Sequence, residues 1–392
     1  MKNIRSLFFC SLFLVALVPL SAQGAPTVEE RLKALEQQVQ GLVKENTALK
    51  KQLGWKDTTA PVLPQPGGKE TKLTVGGFLQ GQAEFGSASD SRWGGVKDRF
   101  FFRRARIYLA GSFAEDFDFK AELDLQGNTL GASTGNLARA NEIFINWHKY
   151  PAANLRFGQL KPAFGAEALL SDTKMLTIER SLSSDRLTDG RQLAVGALGE
   201  LFEKKVSYYA VVAQGNGANV SANDNSKFQK SVRAVFTPVA TTHDKLTVGV
   251  DGLWTTDTAV SKSDLGLAGN LFTGSRSMVG FDAQWVHGLL DLSAEWLHGN
   301  FRPSGGASFK AEGWHATAAY FLIPAKLQAV FREESFDPNT ALAGNTSRTH
   351  LFGLNYFVKG DDIKFGVDYL DGHLPGSSAD GGRVLSRVQI IF

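Results

Sequence analysis

The segment FDFKAELDL, residues 117–125, alternates without exception between apolar and ionised side chains. Phe117, Phe119, Ala121, Leu123 and Leu125 fall on one face of an extended strand, and Asp118, Lys120, Glu122 and Asp124 on the other. A strand of this kind needs apolar surroundings on one side and water on the other. The same period of two recurs from Lys72 to Phe392, in Leu73/Val75/Gly77/Leu79, Val248/Val250/Gly252/Trp254, Val279/Phe281/Ala283/Trp285, Ile363/Phe365/Val367/Tyr369 and Val388/Ile390/Phe392. Many of these stretches exceed nine residues. A tilted strand needs about 9–11 to cross a bilayer, whereas strands of soluble sandwiches usually have about five or six.

The connections also alternate. Short ones fall near 113–116, 149–153, 200–203, 238–244, 287–289, 323–325 and 359–362. Long ones, rich in Gly, Ser, Asn and Asp, fall near 86–98, 127–139, 162–190, 214–226, 257–275, 299–308, 334–347 and 372–382. Seven short and eight long connections join sixteen strands, so both ends of the barrel segment emerge on the short-turn side. Lipid offers no hydrogen bonds to a strand edge, so the sheet must close on itself. Sixteen strands leave a lumen wide enough for water. Trp147, Trp254, Trp285, Trp296, Trp314 and Tyr369 are expected at the ends of the apolar stripe as interfacial girdles. The fold class is therefore all-β, a 16-stranded antiparallel transmembrane β-barrel spanning 72–392.

Three segments precede it. Residues 1–24 combine Lys2 and Arg5 with an apolar run from Leu7 to Leu20 and a small-residue exit, the pattern of a cleaved signal peptide rather than a membrane anchor. Cys10 lies within that run and is the one cysteine, so the mature chain would have neither disulfides nor a cysteine-based metal site. Loss of Lys2 and Arg5 takes the formal charge from +3 to about +1, which argues against nucleic acid as a partner. Within 25–54, Val28, Leu32, Leu35, Val39, Leu42, Asn46, Leu49 and Leu53 form a heptad seam. That pattern predicts a short periplasmic coiled-coil helix that self-associates; a helix folded against its own domain is the alternative. Residues 55–71, with three prolines and no periodicity, form a linker.

Four basic residues are candidates for the pore. In RRAR, Arg104 and Arg106 face the lumen if Ala105, Ile107 and Leu109 face lipid, and Arg103 lies near the loop-side membrane edge. Paired guanidiniums can hold an anion; alternatively they pair with lumenal acids such as Glu84, Glu122 or Glu142. Lys161 opens the longest loop, 162–190, and Arg180 lies within it. If that loop folds inward it narrows the barrel and sets Lys161 at the constriction; otherwise it is a surface loop. Acids expected in the lumen include Asp116, Asp118, Asp124, Asp251, Asp282, Asp291, Glu295 and Asp368. The pentapeptide 131–135 matches G-x-S-x-G but has no helix after it, so no catalytic serine is assigned and no enzyme activity is expected. The seven histidines show no metal-ligand spacing, and no cofactor motif is present.

RRARIYLAGSFAEDFDFKAELDL, NEIFINWHKY and LRFGQLKPAFGAEALLSDTKMLTIERSL, with the terminal RVQIIF, resemble the phosphate-selective porin O and P family. The resemblance implies a trimeric outer-membrane channel with a narrow eyelet whose basic residues guide anions, Arg104 and Arg106 matching basic positions of the second strand and Lys161 lying near the eyelet lysine. The expected function is passive diffusion of small hydrophilic solutes, especially anions such as phosphate, through a barrel narrowed by 162–190. A structural role is the competing expectation: an envelope tether gripping peptidoglycan through the coiled coil, with conduction secondary. Expected partners are outer-membrane lipid, small anions and two further copies of the chain.

Overall fold

In the computed structural model, the described residues are 33, 37, 72–126, 138–375 and 381–392. The expected signal peptide, coiled coil, linker and 131–135 pentapeptide lie outside them, except for Lys33 and Gln37, which are helical. The described remainder is one closed sheet in which each strand pairs antiparallel with its sequence neighbours, and the first pairs with the last. The strands are β1 (Lys72–Gly86), β2 (Arg99–Phe113), β3 (Phe117–Asp124), β4 (Arg139–Tyr150), β5 (Ala153–Leu160), β6 (Gln192–Leu201), β7 (Val206–Ala213) and β8 (Gln229–Ala240). They continue as β9 (Asp244–Ser261), β10 (Leu271–His287), β11 (Leu290–Pro303), β12 (Phe309–Ile323), β13 (Leu327–Asp337), β14 (Ser347–Lys359), β15 (Ile363–His373) and β16 (Gly381–Ile391). The seven short and eight long connections appear where the sequence pattern put them. Closure is sealed by β1–β16 pairing from Phe78↔Ile391 to Gly86↔Arg383 and by reciprocal backbone bonds between Gly77 and Phe392.

The alternation sorts as the physics requires. Leu123, Ile143, Ile145, Val248, Val250, Phe281, Phe352 and Val367 are exposed on the outside, while Glu122, Asp124, Asp251, Glu295 and Asp368 are buried within. Among the described residues, no helix is long and apolar enough to cross a membrane; the strands supply the outer apolar surface. Trp147 and Trp285 lie near the short-turn end of their strands. Trp296 and Trp314 face each other across β11 and β12 where the outward apolar runs Leu290/Leu292/Ala294 and Ala316/Ala318/Tyr320 give way to His298 and Glu312, an apolar-stripe end although the strands continue beyond it.

The inner wall is not uniformly polar. Loop 161–191 folds inside the barrel and carries two short helices, α1 (Ala166–Leu169) and α2 (Leu182–Leu187). Phe164, Leu182 and Leu187 pack with inward-facing Leu253, Phe272, Met278, Leu297, Phe301 and Phe336 in a buried cluster. A second cluster joins Trp93 and Val96 of loop 87–98 and Ile178 of the long loop to Leu351, Leu370 and Leu385 of the wall. These apolar patches give the loops a seat that water does not contest.

Candidate functional site

Charge fixes the loop where apolar packing seats it. Four loop carboxylates each meet basic side chains, most of them from the wall. Glu167 lies 3.3 Å from Arg332, and Glu179 lies 2.8 Å from Arg103 and 2.5 Å from Arg387. Asp172 is held by Arg106 and Arg180 at 2.6 Å and by Arg104 at 3.2 Å, and Asp189 by Arg276 and Lys262 at 2.5 Å. Burial alone would raise the Asp172 carboxyl, but Arg104, Arg180 and Arg106 together hold it well below the usual carboxylate range. Wall groups also satisfy the loop backbone. Ser231, Asp251 and Asp368 accept from the N–H groups of Ala163, Gly165 and Ile178. Gln80, Gln389 and Asn355 donate to the carbonyls of Asp172, Thr173 and Leu176.

This arrangement locates all four predicted site residues. Arg104 and Arg106 do face inward, as the alternation requires. They are 1% and 3% exposed and make ion pairs, so in this structure they anchor the loop rather than stand open to passing solutes. Of the alternatives read from the sequence, pairing describes them, with a different main partner. Arg106 reaches Asp172 and Asp124 closely and Glu122 only at 3.7 Å. Asp172 was hidden from strand-to-strand reasoning because it comes from the folded-in loop. Arg103 differs from its expected place at the membrane edge. The β1–β2 register skips it, Gln80 pairing with Arg104 and Gly81 with Phe102, and this bulge turns Arg103 inward onto Glu179. Ala105, opposite the exposed Leu79, stays on the outer face, though only 6% of it is accessible.

Lys161 and Arg180 stand differently. Lys161 is half-buried, and its Nζ donates to the carbonyls of Ala168 at 2.5 Å and Leu170 at 3.4 Å. Among the described residues it forms no ion pair. Burial first, and then the neighbouring guanidiniums of Arg180 and Arg191, push its pKa down to about 7. Arg180 donates to the carbonyls of Glu167 and Leu170 as well as to Asp172. Its side chain is partly open, as are those of Arg191, Lys120 and Glu142. The linked group comprises six cations (Arg104, Arg106, Lys120, Lys161, Arg180, Arg191) and four carboxylates (Glu122, Asp124, Glu142, Asp172). The excess is positive, and Lys120, Arg180 and Arg191 are among its partly open members.

Sequence reasoning missed Arg332, Arg387 and Arg276, the wall residues that grip the loop. A signal existed for Arg387: it alternates with Val384 and Val388 in β16 and so had to point inward. What it would meet there could not be read locally.

A family model for phosphate-selective porin O and P matches residues 80–381. Porin O of Pseudomonas aeruginosa is 25% identical, the alignment covering 83% of this chain and 89% of that protein. The anion-selective porin from Comamonas acidovorans superposes with a TM-score of 0.57 at 11% identity, over 82% of this chain and 100% of the other. OmpT of Vibrio cholerae in its trimer form gives a TM-score of 0.56 at 9% identity, over 83% of this chain and 100% of the other.

Proposed function

The chain belongs to the phosphate-selective porin O and P family, and from that premise we propose that the basic, water-facing cluster around Lys161 sets what this outer-membrane channel passes. One observation carries the reading. A loop folded inside a closed barrel presents Lys161, Arg180 and Arg191 to the lumen with fewer carboxylates than cations around them. Small anions crossing that level exchange part of their hydration for ammonium and guanidinium donors, and cations meet an excess of like charge. Arg offers a phosphate-like group two parallel donors, which favours oxyanions over halide. Arg104 and Arg106 act one step removed, by holding Asp172 and so fixing Arg180. The family and the porins this chain is similar to are channels rather than enzymes.

The test is the reversal potential under a salt gradient of Lys161→Glu and Arg180→Glu in planar bilayers. Each should move selectivity toward cations; unchanged potentials in both would remove the cluster from the account. Three organisational features belong to the same proposal. Residues 1–24 are a signal peptide, 25–54 are a periplasmic coiled coil, and the barrel works as a homotrimer. The heptad seam, the helical Lys33 and Gln37, and the trimeric form of OmpT support these readings. A grip on peptidoglycan by the coiled coil would add to conduction, not replace it.

A further inference from the structure

Within the barrel, the β11–β12 register sets Glu295 directly opposite His315, both facing inward. Helix α1 brings Glu167 to the same spot. His315 Nδ1 stands 4.0 Å from Glu167 Oε2 and 3.9 Å from Glu295 Oε2, and one donor atom from each residue lies within 4.8 Å of the others. His315 and Glu295 are only 5% and 4% exposed, yet His315 Nδ1 and Glu295 Oε2 have no hydrogen-bond partner. Two orphaned polar atoms, buried and aimed at one point, are costly unless something occupies that point.

The remaining oxygens are accounted for. Glu295 Oε1 accepts from the Ala166 N–H at 2.5 Å. Glu167 Oε2 accepts from the Ser181 N–H and hydroxyl at 2.9 and 2.7 Å, and its Oε1 meets Arg332 at 3.3 Å. The nearby Arg233 is held by Asp251 and Asp282, each at 2.6 Å. The three residues border a cavity of about 260 Å³, which Arg233, Asp282 and Thr317 also line.

We propose that Glu167, Glu295 and His315 form a site for a divalent first-row transition cation of the Zn²⁺ or Co²⁺ class. One imidazole nitrogen and two carboxylates suit such ions, whereas Ca²⁺ and Mg²⁺ favour oxygen throughout. Three protein ligands leave a coordination position for cavity water. Ligand bonds of about 2.0–2.2 Å put tetrahedral donors about 3.4 Å apart, so atoms now 3.9 Å, 4.0 Å and at most 4.8 Å apart would draw together by about 0.5–1.4 Å. The orphaned Nδ1 and Oε2 become ligands, and Arg332 on the far oxygen of Glu167 and the Ala166 N–H on Glu295 orient the carboxylates. Neither chain spacing nor motif advertises the site, because residues 167, 295 and 315 meet only through loop folding and strand register.

The test is titration of the refolded full-length protein in detergent with CoCl₂, followed by visible absorption and by displacement with ZnCl₂. One equivalent of Co²⁺ should bind and be displaced by Zn²⁺. Glu295→Gln and His315→Gln should weaken binding by at least the roughly 10–100-fold that loss of an outer-sphere partner costs. Heat-modifiable migration on gels reports whether each variant closes its barrel. If either fails to close, Glu167→Gln, on the loop rather than the wall, carries the same comparison. An absent cobalt spectrum in wild type, or one unchanged in the folded variants, would overturn the site and leave a proton shared between His315 and Glu295 as the occupant.

Discussion

Burial and the neighbouring guanidiniums lower the pKa of Lys161, and the expected consequence is a selectivity that depends on pH. A lysine is charged below its pKa. With that pKa pushed down to about 7 by burial and by Arg180 and Arg191, the side chain would be about nine-tenths charged at pH 6 and about one-tenth at pH 8. The groups facing it are the Arg180 and Arg191 guanidiniums, the Asp172 and Glu142 carboxylates, and Tyr209, whose hydroxyl donates to the Lys161 carbonyl. Arginine stays protonated throughout this window, so about eight-tenths of a charge leaves this part of the loop between pH 6 and 8 on account of Lys161. The reversal potential of single channels under a KCl gradient should show anion preference falling along a one-proton curve as pH rises. Lys161→Arg should hold the preference flat through pH 8, and Lys161→Gln should be flat and weaker. A flat wild-type profile, or an unchanged midpoint in Lys161→Gln, would refute the reasoning.

The loop's attachment supports three further expectations. Asp172→Asn leaves Arg104 without its ion pair, and losing one partner of a buried pair costs about 3–5 kcal/mol; the loop should become protease-sensitive and conductance should rise, while strand content stays constant by circular dichroism. Leu187→Ala empties part of the cluster under α2, at about 2–5 kcal/mol, and should raise open-channel noise; noise equal to wild type would count against apolar anchoring of the loop. Gly158 has φ +146°, and a Cβ there would fall 2.0 Å from the Ile143 carbonyl oxygen. Gly158→Ala should therefore cut refolding yield on heat-modifiability gels at a strain cost of about 1–3 kcal/mol, and Gly190→Ala, with open space around it, should not.

The barrel was legible because lipid and water write the same rule into every strand. Alternation, strand length and the rhythm of short and long connections each depend on local sequence, and they located all sixteen strands. The site was only half legible. Lys161 and Arg180 could be named from their place in the longest loop, and the inward aim of Arg104 and Arg106 from alternation. The roles of Arg104 and Arg106 depend on Asp172, a loop residue brought against the wall from 66 or more positions away. No periodicity encodes such contacts. The bulge that turns Arg103 inward breaks the alternation itself, so a strict period of two misplaced that residue. Leu253, Leu297 and Leu351 occupy inward positions for a related reason, because the folded loops, not water, are their neighbours.

The most direct test of the account is the zero-current potential of the wild-type channel in a planar bilayer with a KCl gradient at pH 6, where Lys161 is charged. A steady ohmic conductance whose zero-current potential has the sign of chloride preference, reduced when phosphate is added, is the predicted result. A potential of the opposite sign would contradict the claim that the positive excess on the inward-folded loop governs passage.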